Sequence, residues 1–144
     1  MTRPGQLHAG FLGEWILIPE SCRYEQGDPP REGTYRIQEA EGGELEFEIA
    51  WIDAEGERHA VSFSGRPDGQ AVPFAGGELA DALAVSAVSA RELTTRACWR
   101  GKERMVAQRQ LDDSGLAMRV TQLVRFDDGT TLANVSIYRR RVPS

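Results

Sequence analysis

Lysine is almost absent from this chain: Lys102 stands alone against sixteen arginines. GC-rich coding accounts for that bias, and it needs no functional reading. Histidine and cysteine are scarce too, at two each: His8, His59, Cys22 and Cys98. Two cysteines cannot build a disulfide framework, and no Cys or His pair has the close spacing of a zinc site. A single Cys22–Cys98 bridge stays open beside two free thiols, which is the reading that suits a cytoplasmic protein. Apolar runs are short, and none approaches the ~20 residues of a spanning helix. The stretch from Met1 to His8 lacks the apolar centre of a secretory signal. Positive charge is also in deficit. The net charge of −5 excludes a general nucleic-acid binder, which needs a basic footprint. The expectation is a soluble, cytoplasmic chain, monomer or homodimer, with no membrane span, cofactor, metal or nucleic-acid partner.

What is present is an ordinary globular balance. The 144 residues, 40% hydrophobic and 27% charged, suit one domain over 1–144 with one core. Charge is placed unevenly. Residues 1–72 hold 14 acidic and 6 basic residues, a balance of −8; residues 73–144 hold 8 and 11, a balance of +3. Mutual attraction of the two halves is the favoured reading over a polar partner-binding patch.

Turn signals recur along the chain, most of them about 12–14 residues apart. They include Glu41-Gly42-Gly43, Asp53-Ala54-Glu55-Gly56, Pro67-Asp68-Gly69, Arg100-Gly101-Lys102, Asp112-Asp113-Ser114-Gly115 and Asp127-Asp128-Gly129. Gly and Asp mark tight turns because they tolerate positive φ. Between the turns the pattern alternates. Leu45, Phe47, Ile49 and Trp51 share one face while Glu46 and Glu48 share the other; Leu116, Met118 and Val120 oppose Arg119 and Thr121. A period of two means half-buried strands. Ten are predicted, over 14–19, 33–39, 44–52, 58–65, 70–74, 81–88, 92–100, 103–111, 116–125 and 131–140, with a short helical turn near 78–81 as the one helical option. Ten sequential antiparallel strands with open edges would be prone to aggregate. Closure into an up-and-down barrel removes the edges, and eight to ten strands leave room inside for a small ligand. The predicted fold is therefore all-β, an antiparallel meander barrel. A two-sheet sandwich is the competing architecture, but it usually needs longer crossing connections than follow residue 33.

Three stretches carry a family resemblance: Phe11-Leu12-Gly13-Glu14-Trp15, continuing to Asp28-Pro29-Pro30; the hairpins at Trp51–Glu57 and Arg66–Pro73; and Phe126-Asp127-Asp128-Gly129 leading into Asn134–Arg139. On these the chain resembles the calycin superfamily of lipocalins and intracellular fatty-acid-binding proteins. It is most similar to small bacterial lipocalin-like proteins. The resemblance implies structural roles for Gly13 and Trp15. In lipocalins this Trp plugs the closed end of the barrel against an Arg, for which Arg139, Arg140 and Arg141 are available. Fatty-acid-binding proteins add a helical pair after the first strand; residues 20–32, with Gly27, Pro29 and Pro30, are too short and broken for one.

The resemblance also marks ligand positions. Fatty-acid-binding proteins hold a carboxylate with an Arg and a Tyr two apart on the last strand. Here Tyr138 keeps the Tyr position and Ser136 replaces the Arg. The face they take is open, since Val135 and Ile137 could equally form the core. On the eighth strand, where the family places a second Arg, Arg109 shares a face with Met105, Ala107 and Leu111, and Gln108 takes the other. The remaining lining is expected from Tyr35, Phe47, Ile49, Trp51, Phe63, Met118 and Val120, or from their opposite faces. His59, in line with Val61 and Phe63, reads as a satisfied core histidine. Asp112-Asp113 and Asp127-Asp128 read as turn residues, and no catalytic residue is assigned. The expected function is binding of a small, mainly apolar molecule inside the barrel. A calycin-fold enzyme or haem protein and an interaction module with a filled barrel are the alternatives. With Ser136 in place of an Arg, neutral ligands are expected to bind better than fatty acids, unless Arg109 points inward and supplies the charge.

Overall fold

A computed structural model describes residues 4–25, 27–73 and 80–141. Ten antiparallel strands follow one another around a nearly closed barrel: β1 (Gly13–Tyr24), β2 (Glu32–Glu39), β3 (Leu45–Ile52), β4 (Arg58–Gly65), β5 (Val72–Pro73), β6 (Ala82–Ser89), β7 (Glu92–Trp99), β8 (Lys102–Leu111), β9 (Ala117–Arg125) and β10 (Thr131–Arg140). Each strand pairs with its sequence neighbour except β4 with β5, and β1 also pairs with β10; the hydrogen-bonded order is β4-β3-β2-β1-β10-β9-β8-β7-β6-β5. Helix among the described residues is limited to 3-10 turns at Pro4–Phe11 and Glu41–Gly43. No helix of the described residues is long and apolar enough to cross a membrane.

The strands follow the predicted alternation closely, with instructive departures. β1 runs to Tyr24, five residues past the predicted end. Pro19 cannot donate to the ladder, and the register with β10 shifts between Ile18 and Arg23. The Ser21 hydroxyl bridges the gap. It donates to the Ile18 carbonyl at 2.6 Å and accepts the Ile137 N–H at 2.9 Å, so pairing resumes beyond the bulge. The strand predicted over 70–74 is reduced to Val72–Pro73. Residues 74–79 lie outside the described residues, and with them most of the helical turn expected near 78–81; Ala80 and Asp81 are not helical.

One end of the barrel is packed solid. The Pro4–Phe11 turn lies beneath it, against β6 and β7. Phe11, Trp15, Ile37, Leu45, Phe47, Leu93 and Met118 are fully buried there. Trp15 donates its indole N–H to the Phe11 carbonyl at 3.0 Å. Arg140 lies over the indole, its Cζ 4.2 Å from the ring centroid, and donates to the carbonyls of Leu12 (2.7 Å), Gly115 (3.2 Å) and Gly10. Gly13 must be glycine on two counts: its φ is +126°, and a Cβ there would sit 3.0 Å from an Arg140 nitrogen. The Gly-x-Trp stretch is thus held by one arginine of the last strand.

The ring closes unevenly between β4 and β6. Near the packed end, Gly65 abuts Val85, Asp68 bridges Ser86, and the Gly69 N–H donates to the Val85 carbonyl at 2.8 Å. Toward the open end β4 is exposed on both faces from Arg58 to Ser62. This corrects the reading of His59 as a core residue: its side chain is 40% exposed, because it stands at the open mouth, where β4 is paired only with β3. The expected attraction between the halves is also thin. Among the described residues only the Arg141–Glu14 ion pair joins residues 1–72 to residues 73–144; the other pairs lie within one half. Cys22 and Cys98 are both free thiols, on β1 and β7.

Candidate functional site

Above the packed layer the barrel is hollow. The cavity holds about 430 Å³ and opens at the end formed by the β1–β2, β3–β4 and β7–β8 connections. This is within the usual size of a small-molecule site. Strand alternation decides what faces it. β10 turns Asn134, Ser136 and Tyr138 inward, which places Val135 and Ile137 on the outer face. β8 turns Met105, Ala107 and Arg109 inward and leaves Gln108 exposed.

Arg109 is the centre of the site. It is 1% exposed, and none of the ion pairs among the described residues includes it. Its hydrogen bonds go to neutral groups. Nε and Nη2 both donate to the Tyr35 hydroxyl, at 3.0 and 2.7 Å; Nη1 donates to the Thr95 hydroxyl at 3.1 Å and to the Ala107 carbonyl at 3.3 Å. A guanidinium has five N–H groups. Four are used, and one on Nη2 is left over. The Phe47 ring lies beneath, 4.9 Å from Cζ, and the Tyr35 ring 5.3 Å away. The aromatic faces and neutral oxygens solvate the cation, but they do not neutralise it.

Tyr138 stands beside this group, its ring edge-on to Tyr35 at 5.2 Å. Burial pushes its phenol well above the ordinary tyrosine value, with the neighbouring Tyr35 adding to the effect, so it is a neutral donor and acceptor. Burial raises the Cys22 thiol and the Tyr24 phenol as well.

At the mouth, Asp53 organises the β3–β4 hairpin. One carboxylate oxygen accepts the backbone N–H groups of Glu55 and Glu57, and the other lies 2.8 Å from the His59 ring nitrogen. The bond to His59 and then that from Glu57 hold the Asp53 carboxyl below its usual range. His59 stacks on Trp51 at 5.2 Å. The ligand atoms of Asp53, Glu57 and His59 lie within 4.8 Å of one another, so this trio could meet a metal ion. The same bonds account for the trio as a lock on the hairpin.

Of the predicted ligand residues, Tyr35, Trp51, Phe63, Arg109, Ser136 and Tyr138 line the one cavity. Phe47 and Met118 do not. Both are fully buried in the packed layer below, Phe47 stacked on Phe63 at 4.7 Å, because the closed end is filled to the level of Arg109. Trp15 and Gly13 belong to that closed end. Sequence reading missed Tyr24, Thr95, Gln122 and Asn134, all in the lining. Alternation could have found three of them: Gln122 follows Met118 and Val120, Asn134 precedes Ser136 and Tyr138, and Thr95 sits between Leu93 and Ala97.

No protein-family model matches the chain, and no curated protein does. Solved structures match it throughout. The wild-type fluorescent protein UnaG aligns with a TM-score of 0.62 at 18% identity, over 92% of this chain and 98% of its own. The zebrafish ileal bile acid-binding protein, crystallised with cholic acid, aligns with a TM-score of 0.54 at 12% identity, over 92% and 99%. A redesigned β-barrel aligns with a TM-score of 0.50 at 16% identity, over 99% and 98%. At these identities the likeness is one of fold, and the fold is calycin-like, of the fatty-acid-binding-protein type.

Proposed function

We propose that the protein binds a small organic acid in the barrel, its carboxylate toward Arg109 and its apolar body against Ile49, Val61, Phe63 and Leu83. The observation that carries this is a fully buried arginine that faces the cavity with, among the described residues, one N–H unused and no carboxylate paired to it. An unpaired buried cation is costly, and an incoming anion removes that cost. The expected preference for neutral ligands is thereby reversed. Ser136 does stand where the family has an Arg, but Arg109 supplies the charge from β8. The open cavity speaks against the filled-barrel reading. The zebrafish neighbour, by its name a bile acid-binding protein, is consistent with ligand binding in such a barrel.

The test is dye displacement at neutral pH, comparing a fatty acid with the alcohol of equal length. The acid should bind about 10–100-fold more tightly, the weight of a charge-assisted hydrogen bond in a dry site, roughly 1.5–3 kcal/mol. Arg109→Gln should erase the difference. Equal binding of acid and alcohol to the wild-type protein refutes the proposal.

A further inference from the structure

The polar groups of the cavity are not confined to the Arg109 end. β10 presents Tyr138, Ser136 and Asn134 in succession, and β9 adds Gln122 beside Asn134. Residues two apart on a strand lie about 7 Å from each other. Ser136 and Tyr138 are each more than nine-tenths buried. Their hydroxyls enter none of the side-chain hydrogen bonds among the described residues around the cavity. Asn134 gives its carbonyl oxygen to the Glu25 N–H, which leaves its NH₂ free. Gln122 donates to the Met105 sulfur, which leaves its carbonyl oxygen free. The wall therefore offers hydroxyls at depth, then an amide donor and an amide acceptor near the mouth.

The opposite wall is different. In the ring, β9 and β10 stand about half-way round from β4 and the β4–β6 closure. There the cavity is lined by Ile49 and Trp51 on β3, Val61 and Phe63 on β4, and Leu83 on β6. Below the mouth, where Asp53 adds a carboxylate to the otherwise apolar side, the two walls ask for different things of a ligand. An unbranched acid is polar at one end and apolar all round its chain. It would pair with Arg109 and leave the β9–β10 groups facing methylenes, a loss for each buried hydroxyl and amide.

On the reading of Arg109 as the anion anchor, we infer that the ligand is a rigid acid with two unlike edges. Its carboxylate meets Arg109, hydroxyl or carbonyl groups spaced along one edge meet β9 and β10, and the other edge is bare hydrocarbon. Selectivity for such a molecule resides in Ser136, Asn134 and Gln122.

Three probes separate the parts of this inference: cholic acid, cholanic acid (the same skeleton without hydroxyls) and palmitic acid. Each displaces anilinonaphthalene sulfonate from the full-length protein at neutral pH. Cholic acid should bind at least about 10-fold more tightly than either other acid. In the Ser136→Ala, Gln122→Leu double variant the cholic-to-cholanic ratio should fall to within about 3-fold, while palmitic acid, no longer facing unmatched polar groups, should bind more tightly than to the wild type. Arg109→Gln should weaken all three acids and preserve the ratio. Should Arg109→Gln leave the acids untouched while the ratio still depends on Ser136 and Gln122, the anchor is wrong and the polar wall is right. Palmitic acid binding as tightly as cholic acid overturns the inference, as does a ratio that survives in the double variant. The wild-type comparison alone decides if the double variant fails to fold.

Discussion

A single guanidinium, that of Arg140, joins the closed end together. It covers the Trp15 ring and bonds the carbonyls of Gly10 and Leu12 at one end of the chain and of Gly115 near the other, two stretches far apart in sequence. Trp15→Ala should destabilise the protein by about 3–5 kcal/mol in urea unfolding, as large core truncations do. Arg140→Ala should cost about 2–4 kcal/mol, and Arg140→Lys somewhat less, since an ammonium keeps the charge but not the planar fork. Tyr138 gives a pH dependence of definite sign. Its phenol is raised in the folded protein, so in the unfolded chain it ionises first, near pH 10. Its contribution is complete below that pH and is lost as pH rises beyond it. Stability measured from about pH 8 to 11 should therefore fall, and Tyr138→Phe should flatten the fall. A slope unchanged by that substitution would assign the effect elsewhere.

Among the elements, the meeting of β4 with β6 is the most exacting contact. A Cβ on Gly65 would lie 2.9 Å from a Val85 methyl. Gly65→Ala should cost about 1–3 kcal/mol through overpacking, and Val85→Ala in the same chain should recover part of it, a coupling that a double-mutant cycle measures directly. Strands such as β3 and β9 were legible because one face of each is dry and period two records it. The continuation of β1 was not, because a serine hydroxyl stands in for ladder bonds there, and hydropathy does not register that. The Pro4–Phe11 turn has no apolar period to read. His59 misled because its strand keeps alternating up to the open mouth, so pattern persists where burial does not.

For the molecule as a whole, the far-ultraviolet spectrum should show strand and under roughly 10–15% helix; a value near the ~30% globular average would contradict the barrel. The meander was readable from turn spacing, whereas the closed end was implied only by the family resemblance that Gly13-Glu14-Trp15 carries. The cavity was readable only as residues on alternating faces. β10 carries apolar residues on both, Val135 and Ile137 on one and Tyr138 on the other, so hydropathy alone could not choose the inner side. Nor could it show that Arg109 would find one phenol and a threonine among the described residues instead of a carboxylate. That depends on Tyr35 reaching it from 74 positions away.

The pairing of β1 with β10 sets a timetable for synthesis. Trp15 lies 125 residues before Arg140, so at about 5–20 residues per second roughly 6–25 s pass before its partner exists. During that interval the nascent chain can hold a β2–β3–β4 meander but no plug, and Phe11 and Trp15 stand uncovered. The barrel is thus completed in one late step, when β10 arrives. A ribosome-stalled chain ending at residue 130 should accordingly be cut readily by protease near Trp15, while the released full chain resists.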